Sequence, residues 1–236
     1  MSPVTQSLKL LEWVGSSKRD LLALPGEVVD VFGYALYLAQ TGGRHANAKV
    51  LHGFGGGGVL EVIQEFRGNA YRAVYTVRFE ERIFVLHVFQ KKSKSGSATP
   101  KPDMDLVWTR LQAASQRIEE LRMSKHKASE NIAMYGGTGN VYADLGYPDA
   151  DEMLVKAQLV CRISEIVRQR GLTQVEAAKL LGLTQPKVSA MLRGQFRGFS
   201  ERKLMDCLTS LGRDVEIVIR DAPRSRAEGK ITVVVE

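Results

Sequence analysis

The sequence predicts an α+β protein in two parts, a small antiparallel sheet with helices followed by an all-α part that ends in a short β-hairpin. Three observations support this. Residues 59–90 contain runs rich in Val, Ile, Phe and Tyr, residues 149–211 have helical periodicity, and residues 123–140 lose periodicity and collect Lys, Ser, Gly and Asn. We therefore expect one domain at 1–122, a linker at 123–140 and a second domain at 141–236.

In the first part, a strand at Leu8–Val14 is expected to precede two helices, Ser17–Leu22 and Pro25–Gln40, because Pro25 suits a first helical turn. Apolar residues at three-to-four spacing give the second helix a face that packs on the sheet. Three strands and a covering helix follow: Val59–Phe66, Tyr71–Phe79, Ile83–Gln90 and the helix Asp103–Arg122.

The second part is predicted to be helical up to about residue 211. The expected helices are Asp149–Arg170, Gln174–Leu181, Gln185–Arg193 and Glu201–Leu211. Two β-rich runs, Val215–Ile219 and Ile231–Val235, then predict the terminal hairpin.

Composition excludes several classes of protein. The chain has 236 residues, 44% hydrophobic and 25% charged, which is typical of a globular protein and not of collagen, a disordered chain or a disulfide scaffold. Cys161 and Cys207 lie in predicted helices, so we expect free thiols in a reduced, cytoplasmic protein. No secretory segment or membrane span is expected. The net charge of +7 permits a nucleic-acid partner without proving one.

The most specific motif lies at residues 172–189. Thr173 and Glu176 have the spacing of a capping box, so they predict the start of a helix. Ala178 is small where two helices must approach closely, Gly182 suits a left-handed turn, and Leu183 can fill the angle between the helices. The motif therefore predicts a helix-turn-helix.

The second helix of the motif begins after Thr184, which we expect to cap it, and Val188 and Leu192 are expected to anchor it inward. Its amino end then leads into a DNA major groove, where Gln can bind an adenine edge and Lys a guanine edge or a phosphate. The alternative is a helical hairpin with a solvated polar face. The predicted DNA contacts are Gln174, Thr184, Gln185, Pro186, Lys187, Ser189, Arg193 and Gln195.

This motif, with Asp144-Leu145-Gly146 and Arg193-Gly194-Gln195-Phe196-Arg197, resembles the Cro/repressor-type (Xre) helix-turn-helix family and its HigA-type antitoxin branch over Tyr142–Arg220. The resemblance implies a homodimer that binds an operator in its own promoter and neutralises a toxin. The two terminal β-rich runs could supply the dimer contact or form a simple hairpin. Pro186 stands where relatives carry a polar side chain.

In the first part, basic residues gather at one end of the predicted sheet. By alternation along the strands, Arg72 shares a face with Val74, and His87 shares a face with Phe89 and Lys91. Antiparallel pairing could join these faces into one pocket. The sequence has no metal-ligand spacing, since two of its histidines, His45 and His52, lie seven residues apart with no Cys nearby, so no metal or cofactor is expected.

Fixed cations suit one reaction in particular, the cleavage of RNA by its own 2′-hydroxyl, because they stabilise the negatively charged phosphorane. Arg72 is the candidate for that task, Lys91 and Lys92 would orient the phosphate or activate the hydroxyl, and His87 would be the acid or base. The alternatives are a solvated strand end for the lysines and a structural role for the histidine.

Three segments, Glu12–Lys18, Tyr71–Val77 and Leu86–Lys94, resemble the phage-derived, HigB-like toxins of the RelE/ParE superfamily, in a match over about residues 8–120. The resemblance implies a RelE-like α+β domain and ribosome-dependent mRNA cleavage without a cofactor. The family's functional positions correspond here to Arg67, Arg72, Lys91 and Lys92.

Together the two resemblances imply a type II toxin–antitoxin module on one chain. The toxin half would act as an mRNA interferase on the ribosome, and the antitoxin half would bind it in cis or in trans, dimerise and repress from operator DNA. Two alternatives stay open: a transcriptional regulator whose toxin-like half is catalytically inactive, and a toxin that poisons DNA gyrase, as one branch of the superfamily does.

Overall fold

The computed structural model describes residues 8–91, 99–123, 132–224 and 228–234. The chain divides into two compact units, Ser7–Leu145 and Gly146–Glu236. Strands and helices mix in the first unit, whereas the regular elements described in the second are all helices. The predicted mixed α and β character and the helical second part are therefore confirmed.

The first unit is built on a six-stranded sheet in the order β2-β3-β4-β5-β1-β6. Neighbouring strands are antiparallel except β1 and β5, which are parallel. The three long predicted strands are confirmed with small shifts, and β2 and β6 are additional. The strands are β1 Leu10–Val14, β2 Ala48–Val50, β3 Val59–Phe66, β4 Asn69–Thr76, β5 Arg82–Lys91 and β6 Met134–Gly136.

Three predicted helices accompany this sheet, α1 (Ser17–Leu22), α2 (Gly26–Gln40) and α3 (Lys101–Met123). The apolar positions of α3 recur every three or four residues, and this stripe packs on one face of the sheet. The residues of this core are Val14, Leu51, Phe54, Val59, Val74, Phe84, Leu86, Val107, Leu111 and Ala114.

The structure differs from the expected linker at residues 123–140. Met134–Gly136 forms β6 on the free edge of β1, and a short helix, α4 (Val141–Asp144), packs on α2. An edge strand has unpaired N–H and C=O groups, which explains why a nearby segment with extended geometry pairs with it. The first compact unit consequently continues to Leu145.

The second unit contains α5 (Ala150–Gln169), α6 (Gln174–Leu181), α7 (Gln185–Leu192) and α8 (Glu201–Ser210), close to the predicted bounds. The helices enclose one apolar core. Its fully buried members include Met153, Val160, Ile163, Val188, Met191, Phe196 and Leu204.

The predicted terminal hairpin is wrong for the described residues. Val215–Ile219 has no strand, and neither has the described part of Ile231–Val235; Val235 itself lies outside the described residues. Ile217 and Ile219 are 79% and 93% exposed. A β-rich sequence becomes a strand only when its backbone pairs with a neighbour, and in this single chain the segment has no such pairing.

Both cysteines are free thiols, as predicted. Burial, with a smaller contribution from Glu165, raises the pKa of Cys161 to about 12, and burial also raises the pKa of Cys207. The two thiols are therefore protonated at neutral pH and poor nucleophiles. Among the described residues, no helix is long and apolar enough to cross a membrane.

Candidate functional site: a helix-turn-helix and a polar sheet face

The predicted capping box opens α6. The amide of Glu176 donates to the Thr173 hydroxyl at 3.3 Å, and the Glu176 carboxylate accepts from the Thr173 amide at 2.8 Å. The Thr173 hydroxyl also donates to the Glu176 carboxylate at 2.7 Å, and this bond, followed by the one from the Thr173 amide, lowers the pKa of Glu176. At the other end, Gly182 takes the left-handed conformation, with φ of 59°. The helix begins and ends where the motif predicts.

The angle between α6 and α7 is packed by small and apolar side chains. Ala178 is 6% exposed, Leu183 is half-buried above it, and Val188 is fully buried. The inward anchor predicted at Leu192 lies one residue earlier, because Met191 is fully buried and Leu192 only half-buried. With 3.6 residues per turn, positions three and four after Val188 both approach the core, and the longer, unbranched Met fills it.

The leading ends of the two helices are joined by a pair of glutamines. The side-chain amide of Gln185, at the start of α7, donates to the side-chain oxygen of Gln174, at the start of α6, at 2.7 Å. Both residues are exposed. The bond fixes the orientation of the Gln185 amide and leaves it one N–H donor and one acceptor oxygen pointed at solvent.

Three further predicted DNA contacts, Thr184, Pro186 and Lys187, are exposed at the same end of α7. Thr184 has the extended backbone of a capping residue, but its hydroxyl makes no capping bond, contrary to prediction. Pro186 lies in the first turn, where no intrahelical amide bond is lost. Lys187 supplies a positive charge there.

The outer position predicted for Ser189 is wrong. The residue is only 8% exposed, and its hydroxyl accepts a hydrogen bond from Arg193 one turn later. Ser189 lies next to the fully buried Val188, on the side of α7 that faces the core. Arg193 and Gln195 are half-buried beyond the end of α7, and Arg197 stacks on Tyr147 at 4.4 Å from the ring centre.

In the first unit, strand register places the predicted basic residues on one sheet face. Arg72 of β4 lies opposite Phe89 of β5, Val74 lies opposite His87, and Ala70 lies opposite Lys91. Directly opposed residues of antiparallel strands share a face, as do residues two apart along one strand. The predicted common face for Arg72, His87 and Lys91 is therefore confirmed.

Arg72 is not an open cation on this face, because an acidic partner on β3 neutralises it. Arg72 is 3% exposed, and its Nη1 donates to Glu61 Oε1 at 2.7 Å and to the Thr99 hydroxyl at 2.9 Å. Thr99 in turn donates to the same Glu61 oxygen at 2.7 Å. The sequence signal for this triad is a Glu inside the apolar run Val59–Phe66, where an unpaired charge could not be buried.

His87 is held by an acid that sequence reasoning missed. Its Nε2 lies 2.9 Å from Asp103 Oδ1 at the start of α3, and its ring stacks on Phe89 at 4.7 Å. Burial lowers the pKa of His87, although the hydrogen bond to Asp103 raises it, and the charge of Arg110 lowers it again. The ring is thus neutral at pH 7 and fixed in orientation.

Arg110 of α3 is a second buried cation close to this face. The register of β4 and β5 skips Leu86, and Arg110 Nη1 donates to the Leu86 carbonyl at 2.7 Å. Its Nη2 donates to the Ser16 hydroxyl at 2.8 Å, which donates to Asp20 at 2.5 Å. A bulge leaves backbone groups without ladder partners, and Arg110 supplies one for the Leu86 carbonyl beside His87.

Two further predicted cations, Arg67 and Lys91, lie where strands of this sheet end. Arg67 is exposed in the β3–β4 turn, with a positive φ of 49° and its guanidinium 5.0 Å from the centre of the Phe66 ring. Lys91 is half-buried at the end of β5, and Lys92 lies outside the described residues. Within the described chain, no group of three or more His, Cys, Asp or Glu could hold a metal ion.

Two family models match the chain. Residues 19–112 match the model described as phage-derived protein Gp49-like, and residues 141–220 match a helix-turn-helix domain. The chain joins a Gp49-like domain to an Xre-type helix-turn-helix domain. Each match covers less than half of the chain and therefore describes one part of it.

A solved structure that bears the name of an XRE-family transcriptional regulator is 45% identical to the chain. The similarity covers 38% of this chain and 100% of that one, with a TM-score of 0.36. No curated protein matches.

Proposed function

We propose that the chain is a toxin–antitoxin module in one polypeptide, whose helix-turn-helix half binds operator DNA and represses its own gene. The observation that carries the DNA-binding part is the pair of exposed glutamines at the leading ends of α6 and α7, joined at 2.7 Å. With one donor and one acceptor left, Gln185 can make the paired hydrogen bonds that an adenine edge requires. Gln174 keeps its amide hydrogens for a phosphate.

The surroundings of Gln185 suit the same ligand. Lys187 is exposed two residues after Gln185 and can reach a guanine edge or a phosphate, and the free amides at the start of α7 attract a phosphate. Arg193 and Gln195, after the helix, lie where the DNA backbone would pass. We leave Ser189 out of the proposed interface because it is only 8% exposed.

The test is the affinity for DNA from upstream of the gene, followed by fluorescence anisotropy at several salt concentrations. Gln185→Ala should weaken binding to the operator by about fivefold or more, since one base contact is worth about 1–3 kcal/mol. Lys187→Ala should weaken binding to all sequences and reduce the salt slope by about one. Lys179→Ala, at the far end of α6, is the control. Absence of binding by the unaltered chain at low salt would refute operator binding.

For the Gp49-like half we propose metal-independent cleavage of mRNA on the ribosome. Arg72, His87 and Lys91 supply two cations and a neutral imidazole on one sheet face, which suits phosphorane stabilisation and proton transfer. In the described state Glu61 binds Arg72, so an RNA phosphate must compete with that carboxylate for the guanidinium. Arg72 would therefore act only after its own contacts with Glu61 and Thr99 open.

The assay is primer-extension mapping of mRNA in a translating extract, before and after the chain is cut between the two compact units. Cutting should increase cleavage if the helix-turn-helix half restrains the toxin in cis at high effective concentration. Arg72→Ala should abolish the cleavage, whereas the exposed Arg19→Ala should not. Equal cleavage before and after cutting would defeat the proposed restraint.

One observation favours a second candidate, a transcriptional regulator whose Gp49-like half is catalytically inactive. Arg72 is 3% exposed, and the Glu61 carboxylate compensates its charge, as expected for a structural ion pair. Expression of residues 1–145, which include the whole first compact unit, separates the two candidates. Growth arrest that Arg72→Ala relieves supports the toxin candidate. Normal growth, with the fragment soluble, supports the regulator whose Gp49-like half is inactive.

A further inference from the structure

The chain between the two family matches returns to the Gp49-like domain. We call residues 132–145 the strap. Its β6 runs antiparallel to β1, with Met134 opposite Val14 and Gly136 opposite Glu12. Backbone bonds continue at both ends, because the Gly15 amide donates to the Ala133 carbonyl and the Gly137 amide to the Leu11 carbonyl, each at 2.7 Å. The strap therefore completes the sheet edge that β1 would otherwise expose.

After the strand, the strap folds back on itself through Asp144. The Thr138 amide donates to Asp144 Oδ1 at 2.8 Å, and Asp144 is 5% exposed. Asn140 caps the following helical turn by accepting from the Tyr142 amide at 3.0 Å. These contacts give the strap a fixed shape of its own, with α4 placed against α2.

Apolar side chains fix the strap to the domain. Val141 and Tyr142 are fully buried and Leu145 is 6% exposed. Gly33 of α2 leaves the room they need, since a Cβ there would lie 3.1 Å from Leu145 and 3.5 Å from the Tyr142 ring. At the other end of the strap, Ile132 and Met134 pack against the core between α3 and the sheet.

The position of the strap in the sequence gives it a role. The helix-turn-helix match begins at residue 141, inside the strap, yet the strap belongs to the compact unit Ser7–Leu145. We infer that the strap is a docking peptide, attached to the helix-turn-helix domain, that binds the Gp49-like domain by strand addition to β1. Association of the two domains then does not depend on the peptide link through residues 124–131.

The experiment uses the full chain with a site-specific protease sequence in place of residues 124–131. After complete cutting, size-exclusion chromatography at micromolar concentration should give one peak that contains both fragments, because the strap stays bound. Two separate peaks would overturn the inference. The readout involves neither RNA nor DNA, so its failure is distinct from failure of the proposed function.

Two neighbouring glycines provide a matched pair of variants. A Cβ on Gly137 would lie 2.3 Å from Asp144 Oδ2 and 2.9 Å from the Leu11 carbonyl, whereas a Cβ on Gly136 would meet nothing within 4 Å. Gly137→Ala should therefore weaken the association of the cut fragments at least about tenfold, and Gly136→Ala should leave it unchanged. Equal affinity for the two variants would overturn the assignment of binding to the strap.

Hydrogen exchange on the uncut variants gives a second readout, which also serves if a cut fragment precipitates. Gly137→Ala should speed exchange of the β1 and β6 amides relative to Gly136→Ala, because the Gly137–Leu11 bond lies at the centre of the strap. Indistinguishable exchange in these strands would overturn the inference.

Discussion

Arg72 and Glu61 form an ion pair with almost no access to water, since their side chains are 4% and 7% exposed. Removing one partner of such a pair leaves a buried charge without compensation, which costs about 3–5 kcal/mol. Glu61→Gln should accordingly lower the free energy of unfolding of the first unit by about 3 kcal/mol, as measured by urea denaturation. Arg19→Ala, at an exposed ion pair, should change it by less than about 1 kcal/mol. If Glu61→Gln lowers the free energy of unfolding as little as Arg19→Ala does, the buried ion pair does not stabilise the unit as proposed.

His87 makes stability depend on pH in a direction set by its burial. Its folded-state pKa lies below the ordinary value, so the unfolded chain binds the proton more tightly, and stability falls as pH drops through and below the ordinary range of a histidine. His87→Gln should remove this part of the acid sensitivity in thermal melts between about pH 7.5 and pH 5. The exposed His52→Gln is the control and should leave the slope unchanged. If the His87 variant loses stability more steeply at acidic pH than the unaltered chain does, the Asp103 hydrogen bond affects the pKa of His87 more than burial does.

At the scale of the elements, local chemistry decided which predictions hold. The capping box, Gly182 and the alternating strands were predictable because each depends on residues within a few positions. The Arg72–Glu61–Thr99 triad was not, because Thr99 is 27 residues from Arg72 and only the folded sheet brings them together. The same holds for β6, whose pairing with β1 joins residues more than 100 positions apart in the chain.

The two threonines before α6 and α7 allow a test of how much a side-chain capping bond contributes to the stability of the second unit. Thr173 makes its capping bond and Thr184 does not. Thr173→Ala should therefore lower the stability of the second unit by about 1 kcal/mol, and Thr184→Ala by clearly less. Chemical denaturation followed by circular dichroism measures both. If the two variants lose equal stability, the capping bond of the Thr173 hydroxyl does not stabilise the unit.

At the scale of the whole molecule, the exposed isoleucines after α8 suggest how two copies of the chain could form a dimer. A helix-turn-helix that reads two half-sites about 34 Å apart must present two recognition helices, so operator binding predicts a dimer. Ile217, Ile219 and Ile231 are 79%, 93% and 82% exposed in the single chain, an apolar surface on β-forming sequence. Pairing of these runs between two copies would supply the strand partner that one copy lacks.

Substitution of two of these isoleucines tests the dimer. Ile217→Asp with Ile219→Asp should shift the chain to a monomer in sedimentation velocity and weaken operator binding by about tenfold or more, because each copy then binds its half-site alone. Leu22→Asp, at a half-exposed position in the first unit, is the matched control and should change neither measurement. Because the helix-turn-helix core is separate from these residues, α-helical content should stay constant in the double variant. A dimer that persists, with full operator affinity, would show that other surfaces bring the two recognition helices together.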